Sequence, residues 1–129
     1  MEANDVTILV VEDEFLLIAL LVEPLEEAGF KVSTASNGEK ALSFLEQDIQ
    51  SIRAVITDVN LGGAVTGWDV AQKARELNPL IPIIYATSST SDEWAAHGVP
   101  NSVHITKPFV TVQVVTALSQ LLNTTTSHQ

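Results

Sequence analysis

Acidic residues directly follow two of the short apolar segments of this chain. Glu12, Asp13 and Glu14 come after the first segment, and Asp58 comes after a later one. Considered alone, residues 12–14 could simply be acidic residues at the start of a helix, where their negative charge complements the helix dipole. Asp58 favours another interpretation, because carboxylates from two neighbouring strand ends repel one another unless a cation lies between them. Their oxygens suit a hard divalent ion, and we therefore predict a Mg²⁺ site.

Two further apolar segments end in residues that can donate hydrogen bonds. Thr87 and Ser88 close the fourth segment, and Lys107 closes the fifth. Taken singly, such residues are more commonly a turn hydroxyl or a solvated lysine. Hydroxyl and ammonium groups also stabilise phosphoryl oxygens, however, and here they would share an edge with the carboxylates. The combination predicts phosphoryl chemistry at this edge.

Short apolar segments rich in β-branched residues alternate with longer segments of helical periodicity. Such alternation predicts a doubly wound α/β fold, in which helices cover both faces of a parallel sheet. With five strands, the compact solution is a flavodoxin-like sheet of order 2-1-3-4-5, whose crevice lies at the carboxyl ends of strands one and three. We predict strands at residues 6–11, 31–35, 54–58, 81–86 and 102–105, and helices at 14–28, 38–47, 67–77, 91–97 and 110–122.

The composition excludes several classes of protein. The 129 residues carry 16 acidic against 6 basic side chains, and the formal net charge is −10. A surface this negative repels phosphate backbones and anionic lipids, so we predict neither a nucleic-acid nor a membrane partner. The absence of cysteine excludes a disulfide framework, a thiolate zinc site and a cysteine nucleophile, and it fits a cytoplasmic protein. No apolar run approaches the roughly 20 residues that span a bilayer.

The order and spacing of these residues resemble those of the receiver domain of bacterial two-component response regulators. The resemblance extends across nearly the whole chain and is carried by four groups of residues: Val11-Glu12-Asp13, Asp58, Thr87 and Lys107-Pro108-Phe109. It implies that Asp58 accepts a phosphoryl group from a histidine kinase or a histidine phosphotransfer protein, as an aspartate can be a covalent nucleophile. The chain would then be a signalling protein that catalyses only its own phosphorylation and dephosphorylation, rather than an enzyme.

The resemblance also implies roles for the residues around the phosphoacceptor. Glu12 and Asp13 would bind Mg²⁺ together with Asp58, and the backbone carbonyl of Asn60 would add a further ligand. Thr87 would hold the phosphoryl group and switch position. These assignments agree with the chemistry of the reaction, because Mg²⁺ offsets the charge that develops in phosphoryl transfer.

Two more implied features concern the end of the fifth strand. Lys107 would pair with the phosphoryl group, and the Lys107–Pro108 peptide bond would be cis. His104 occupies the place where receiver domains commonly carry an aromatic switch residue. We therefore treat His104, together with Thr87, as a switch candidate.

The first predicted helix carries an unbroken apolar run at residues 15–22, which is too long to be explained by one buried stripe. At about 100° per residue, Phe15, Ile18 and Val22 lie roughly opposite the face that would point at the sheet. In receivers, histidine kinases and phosphotransfer proteins commonly dock on the first helix. We therefore predict docking at these three residues, unless neighbouring helices cover them. The face expected to point at the sheet consists of Leu17, Leu21, Leu25 and Ala28.

We predict a receiver domain over residues 1–123 and a short polar, disordered tail over residues 124–129. No output domain follows the fifth helix in this sequence, so we expect signalling through protein contact. From Pro108 to Gln129 there is no Lys, Arg, Asp or Glu, which predicts that the fifth helix joins no salt-bridged dimer. We expect a monomer or a weak homodimer.

Other functions require residues that this chain lacks. A flavin-binding protein of this fold needs a hydroxyl- and glycine-rich loop where residues 12–14 are acidic. A phosphatase of the haloacid dehalogenase type needs a second aspartate two residues after its nucleophile, where this chain has Asn60. A pseudo-receiver, which acts as a protein-interaction module without being phosphorylated, stays open as an alternative. The joint presence of Asp58, Thr87 and Lys107 argues against it.

Overall fold

Five strands form the centre of the computed structural model, which describes residues 7–126 and the side chains as far as Asn123. Val6, the predicted start of the first strand, lies outside the described residues. The second strand has the predicted bounds, and the described ends of the others differ by no more than two residues. The strands are β1 (Thr7–Val11), β2 (Lys31–Ala35), β3 (Ile52–Thr57), β4 (Ile83–Thr87) and β5 (Val103–Thr106).

Five α-helices follow the strands in turn. They are α1 (Phe15–Glu27), α2 (Gly38–Asp48), α3 (Gly67–Leu77), α4 (Ser91–His97) and α5 (Thr111–Thr126). The third and fourth helices have the predicted bounds, whereas α5 continues beyond its predicted end. Residues 124–126 are therefore helical rather than part of a disordered tail, and residues 127–129 lie outside the described part of the chain. Among the described residues, no helix is both long enough and apolar enough to span a membrane.

All neighbouring strands are parallel, and the strand order is β2-β1-β3-β4-β5, which confirms the predicted fold. β1 and β4 are buried along their whole length, which explains why their sequences, apart from one terminal threonine each, are apolar rather than alternating. The register pairs Val11 of β1 with Thr57 of β3. The residues that follow these two strands, Glu12 and Asp58, therefore emerge next to each other at the carboxyl edge.

Successive residues of β1 pack into two hydrophobic cores, one on each face of the sheet. Ile8 and Val10 pack with buried residues of α1 and α5. Leu9 and Val11 pack with buried residues of α2 and α3, and Trp94 of α4 joins them from the edge. Helices thus cover both faces of the sheet, as predicted. This packing holds the strands, and with them the carboxyl edge, in place.

Side-chain caps determine where the helices near this edge begin. Asn37 caps α2 through its side-chain oxygen. Thr66 and Asp69 form a capping box at the start of α3, and Thr90 and Glu93 form another at the start of α4. Caps of this kind contribute about 1 kcal/mol each. The loops after β3 and β4 therefore end at well-defined points.

Candidate functional site

Four side chains from four strand ends lie at the carboxyl edge of the sheet. Glu12 follows β1, Asp58 follows β3, Thr87 ends β4 and Lys107 follows β5. The Lys107 ammonium nitrogen lies 2.7 Å from Asp58 Oδ2 and 3.1 Å from Glu12 Oε1. Lys107 therefore links two strand-end carboxylates at the edge where the sequence predicts a site.

The carboxylates of Glu12, Asp13 and Asp58 lie close together, and we call them the acidic cluster. One oxygen atom from each carboxylate lies within 4.8 Å of those from the other two. Glu12 and Asp58 are only 2% and 7% exposed, whereas Asp13 is open to solvent. Three carboxylate oxygens at this spacing are a suitable donor set for a hard divalent cation such as Mg²⁺.

Hydrogen bonds hold the Asp58 carboxylate on both of its oxygens. The Asp58 N–H donates to the Val11 carbonyl at 3.0 Å, which fixes the backbone. Asp58 Oδ1 accepts from the N–H of Val59 at 2.6 Å, and the Lys107 ammonium group donates to Oδ2. The orientation of this carboxylate is therefore set by the fold itself.

Lys107 lies partly buried among carboxylates. Burial alone would lower the pKa of its ammonium group, but the hydrogen bonds and negative charges of Asp58 and Glu12 outweigh burial and raise this pKa. Glu14 contributes a third and more exposed carboxylate, with Oε1 at 3.5 Å from the ammonium nitrogen. Lys107 therefore stays charged at neutral pH.

Burial raises the pKa of the Glu12 carboxyl group, and the nearby negative charge of Asp58 raises it further. The N–H of Glu14, which donates to Glu12 Oε2 at 3.1 Å, and the charge of Lys107 oppose this rise without cancelling it. The ionised form of Glu12 is thus less favourable here than in water, and additional positive charge would stabilise it. This is a second indication that the acidic cluster suits a cation.

The sequence analysis missed Gly67, the first residue of α3. Its N–H donates to the Val59 carbonyl at 2.8 Å, and a Cβ atom at this position would collide with the Asp58 carbonyl oxygen. Any other residue here would push the loop away from Asp58. A glycine at a predicted helix start has many explanations, so the sequence offered only a weak signal.

The loop after Asp58 turns back over the acidic cluster. The Asn60 side chain is exposed, and its Oδ1 accepts from the N–H of Gly62 at 3.3 Å. Gly62 has a φ of 77°, which favours glycine, and a Cβ atom there would lie 3.4 Å from Asp13 Oδ2. The Asn60 side chain thus stabilises this loop locally, and the role of its backbone carbonyl as a metal ligand stays a prediction.

Thr87 is almost fully buried at the end of β4. Its carbonyl accepts from the N–H of Lys107 at 2.9 Å, which joins the ends of β4 and β5. Its Oγ1 accepts from the N–H of Ser89 at 3.2 Å. The Lys107–Pro108 peptide bond is cis, as the resemblance implied.

His104, the predicted partner of Thr87 in switching, is connected to it through the loop between β4 and α4. His104 Nε2 lies 2.9 Å from the carbonyl oxygen of Ser89, whose N–H bonds to Thr87. The His104 ring also stacks on Trp94, with ring centroids 5.6 Å apart. The two switch candidates are therefore linked indirectly, by a single loop residue.

The surface predicted for docking on α1 is less exposed than expected, and docking itself stays a prediction. Phe15 is 79% exposed, but Ile18 and Val22 are half-buried. Because α1 contacts both β2 and α5, more than one side of the helix is covered. Leu16 and Leu20, which are 76% and 59% exposed, lie on the side that stays open.

A groove borders this open side of α1. Its volume is about 410 Å³, and it is lined by Leu17, Leu20, Lys107, Pro108 and Phe109. Ala28, which we expected to face the sheet, is exposed, because it lies just beyond the last residue of α1. We call the groove and the adjoining exposed side chains the α1 patch, which includes Phe15, Leu16 and Leu20.

Comparisons with known proteins point to one family. A family model described as response regulator receiver domain matches residues 8–119. A probable transcriptional regulatory protein, TcrX of Mycobacterium tuberculosis (strain ATCC 25618 / H37Rv), is 31% identical over 126 residues, which are 96% of this chain and 53% of that protein. Response regulator SaeR of Staphylococcus aureus (strain USA300) is 26% identical over 117 residues, which are 89% and 50% of the two chains. The chain spans about half the length of these curated relatives.

Solved structures of similar length share the fold. A response regulator receiver protein from Sinorhizobium medicae WSM419 is 42% identical with a TM-score of 0.87, and the match covers 92% of this chain and 94% of that one. The chemotaxis response regulator CheY4 of Vibrio cholerae is 26% identical with a TM-score of 0.79, covering 90% and 98%. The likeness therefore extends over nine-tenths or more of this chain.

Proposed function

The chain belongs to the response regulator receiver domain family, and from this premise we propose that Asp58 accepts a phosphoryl group from a histidine kinase or a histidine phosphotransfer protein. The observation that carries the proposal is the 2.7 Å contact between Lys107 and Asp58 beside the acidic cluster. Phosphoryl transfer to a carboxylate needs an oriented nucleophile, a cation and groups that stabilise the developing charge. The carboxyl edge of the sheet offers the oriented nucleophile and the Lys107 ammonium group, and the acidic cluster would hold the cation.

In the proposed reaction, a carboxylate oxygen of Asp58 attacks the phosphorus atom of a phosphohistidine. The new P–O bond forms as the P–N bond breaks, and the imidazole nitrogen keeps that electron pair and takes up a proton from solvent. Lys107 lies beside Asp58 Oδ2, where it can donate to the oxygens of the incoming phosphoryl group. The Thr87 hydroxyl, at the end of the neighbouring strand, would donate to another of them.

Receiver domains bind Mg²⁺ at an acidic site, and we assign that role here to Glu12, Asp13, Asp58 and the backbone carbonyl of Asn60. Bound Mg²⁺ would offset the negative charge of the transferred phosphoryl group. The spacing of the acidic cluster and the raised pKa of Glu12 support the assignment. Lys107 by itself neutralises only part of the charge of these carboxylates.

We place the chain in the cytoplasm as a signalling protein that catalyses only its own phosphorylation and dephosphorylation. Membership of the receiver family supports this proposal. The net charge of −10 supports a protein that binds neither nucleic acid nor membranes, because both surfaces are anionic. The chain would act through protein contacts, as a monomer or a weak homodimer.

Intact mass spectrometry after incubation with acetyl phosphate and Mg²⁺ tests the phosphoacceptor role. We expect the parent to gain one phosphoryl group and Asp58→Asn to gain none, because the amide keeps the shape but loses the nucleophilic oxygen. Asp92→Asn makes the same change at an exposed aspartate of α4 and should be modified like the parent. No gain of mass in the parent would support the alternative, a pseudo-receiver.

We further propose that the phosphodonor docks on the α1 patch. The patch begins beside Glu14, whose carboxylate reaches Lys107, so a helix lying on it would present its phosphohistidine to Asp58. Exposed apolar surface next to a reactive site is typical of a protein interface. Because α1 contains three glutamates and no Lys or Arg, a donor surface with an apolar centre and a basic rim would fit.

The Leu16→Glu substitution tests docking on the α1 patch. We expect it to slow phosphoryl transfer from the cognate phosphohistidine protein by about tenfold or more, because it places a charge within an apolar contact. Modification by acetyl phosphate, which needs no docking, should stay close to that of the parent.

Leu80→Glu is the matched control for this substitution. Leu80 is 79% exposed in the loop between α3 and β4, at the opposite end of the sheet, and its replacement should change neither reaction. Transfer at the parental rate in Leu16→Glu would exclude the α1 patch as the docking surface. Equal loss of both reactions would show that the substitution disturbs the fold.

A further inference from the structure

Thr57, the last residue of β3, is a buried polar residue that the proposed reaction does not use. It is 0% exposed, and it pairs in register with Val11 of β1 and Tyr85 of β4, which both belong to the apolar core on one face of the sheet. Valine is branched in the same way as threonine, so these neighbours alone give no reason for a hydroxyl group here. The hydroxyl group instead contacts the residue that follows, Asp58.

The Thr57 hydroxyl group holds the peptide group between Asp58 and Val59. Its Oγ1 donates to the Asp58 carbonyl oxygen at 2.7 Å, because a carbonyl oxygen only accepts hydrogen bonds. The N–H at the other end of the same peptide group donates to Asp58 Oδ1 at 2.6 Å. Because a peptide group is planar, its C=O and N–H turn together. A rotation that takes the carbonyl away from the Thr57 hydroxyl would therefore take the Val59 N–H away from the carboxylate.

The two hydrogen bonds also strengthen each other. A donor at the carbonyl oxygen polarises the peptide group, which makes the N–H of the same group a better donor. Both bonds lie among buried groups, where a hydrogen bond is electrostatically stronger than in water. A chain of hydrogen bonds thus runs from the Thr57 hydroxyl through the peptide group to Asp58 Oδ1.

The start of α3 restricts the same peptide group from outside. The Gly67 backbone passes so close to the Asp58 carbonyl oxygen that a Cβ atom at Gly67 would collide with it. The next peptide group is held as well, because the Val59 carbonyl accepts from the N–H of Gly67 at 2.8 Å. Backbone packing therefore limits where the Asp58 carbonyl lies, and the Thr57 hydroxyl determines its direction.

We propose that Thr57 is a positioning residue for Asp58, an inference that rests on the proposed function. Acting through the peptide group between Asp58 and Val59, its hydroxyl holds Oδ1, so that Oδ2 stays 2.7 Å from the Lys107 ammonium nitrogen. Rates depend on how accurately the nucleophile is held, and a displacement of about 1 Å can slow a reaction about 100-fold. Losing one of several restraints on Asp58 should cost less, and we expect a rate about tenfold lower.

Two substitutions separate the hydroxyl group from the shape of Thr57. Thr57→Val removes the hydroxyl, and intact-mass time courses with acetyl phosphate and Mg²⁺ should show phosphorylation about tenfold slower than in the parent. Thr57→Ser keeps the hydroxyl and should restore the rate to within about twofold. If Thr57 served packing alone, the serine variant, which loses a methyl group, would instead be the slower of the two, and the proposal would be wrong.

Thr7→Val is the matched control for these substitutions. It makes the same change at a buried threonine, but at the amino end of β1, away from the candidate site. We expect this variant to be phosphorylated at the parental rate.

The Val59 amide signal in two-dimensional NMR spectra of the full chain tests the link without any phosphorylation. A short hydrogen bond to a carboxylate moves an amide proton signal downfield. We expect the Val59 signal to move upfield in Thr57→Val and to stay at its parental position in Thr57→Ser. Asp58→Asn should also move it upfield, because a neutral amide oxygen is a weaker acceptor than a carboxylate.

The outcomes separate the positioning role from the proposed function. Phosphorylation of Thr57→Val at the parental rate, or an unmoved Val59 signal in that variant, would overturn the positioning role. A parent that gains no phosphoryl group would overturn the proposed function, whereas the Val59 signal would still test the link to Asp58. If the amide spectrum shows that Thr57→Val is misfolded, Thr57→Ala removes the hydroxyl with a smaller side chain and must give the same two changes.

Discussion

Two partly buried cations lie at opposite ends of β4 and β5, and they differ in what they bind. At the carboxyl ends, Lys107 contacts carboxylates of Asp58, Glu12 and Glu14. At the amino ends, Arg75 from the last turn of α3 donates to backbone carbonyl oxygens instead. These are the carbonyls of Ile81 at 2.7 Å, Pro100 at 2.5 Å and Asn101 at 3.4 Å.

The pKa values of the two groups shift in opposite directions. Burial lowers the pKa of Arg75. The carbonyl oxygens that it contacts carry no full negative charge that would offset the effect of burial. The carboxylates around Lys107 raise its pKa despite burial. A cation among carboxylates can exchange one anion for another, such as a phosphoryl group, whereas one bound to carbonyls serves to hold loops together. We therefore expect Lys107 to affect reactivity and Arg75 to affect folding alone.

Lys107→Met is expected to have the largest effect, because methionine keeps the apolar stem and removes the charge. Phosphorylation by acetyl phosphate should slow by about 100-fold or more, as for other removed donors to a transition state. Without Mg²⁺, the free energy of unfolding should fall by roughly 2 to 4 kcal/mol, because buried carboxylates lose their cation. Mass-spectrometric time courses and urea unfolding measure the two effects. Phosphorylation of Lys107→Met at the parental rate would show that Lys107 takes no part in the reaction.

Arg75→Met should have a large effect on folding and none on phosphorylation. The free energy of unfolding should fall by roughly 2 to 3 kcal/mol, because three carbonyls lose a charged donor. Lys73→Met, on the same helix, breaks a surface ion pair with Glu46 at 3.1 Å and should cost less than about 1 kcal/mol. Slower phosphorylation of fully folded Arg75→Met would contradict the claim that Arg75 affects folding alone.

Asp13→Asn should have a smaller effect, which depends on Mg²⁺. Removing one carboxylate from the acidic cluster relieves repulsion, so the melting temperature without Mg²⁺ should rise. The further rise that Mg²⁺ causes in the parent should shrink, because a ligand is lost. Thermal unfolding with and without Mg²⁺ measures both changes, and Asp92→Asn should respond like the parent. A lower melting temperature in the metal-free variant would contradict this account of the cluster.

The carboxyl edge that carries the candidate site was predictable because parallel strands bring their carboxyl ends together. Once β1, β3, β4 and β5 were recognised as apolar segments, Glu12, Asp58, Thr87 and Lys107 had to share one edge. Their order and spacing then matched a family. The start of α3 was equally predictable from the sequence, because it depends on residues that are close in sequence, such as Thr66 and Asp69.

Features that depend on contacts between distant elements were not predictable. In α1, an unbroken apolar run has no polar residue to mark its outer side, so the exposure of Leu16 and the partial burial of Ile18 required the structure. The stacking of His104 on Trp94 joins residues on two different elements. The close approach of Gly67 to Asp58 likewise depends on the path of a loop.

The claim that Asp58 carries the phosphoryl group is tested most directly by locating the modified residue. Sodium borohydride reduces an aspartyl phosphate to homoserine, a stable residue that survives proteolysis. After treatment with acetyl phosphate and Mg²⁺, reduction and proteolysis, peptide mass spectrometry should find homoserine at residue 58 of the parent and none in Asp58→Asn. Homoserine at another aspartate, or an unchanged Asp58 in protein that has gained a phosphoryl group, would contradict the account.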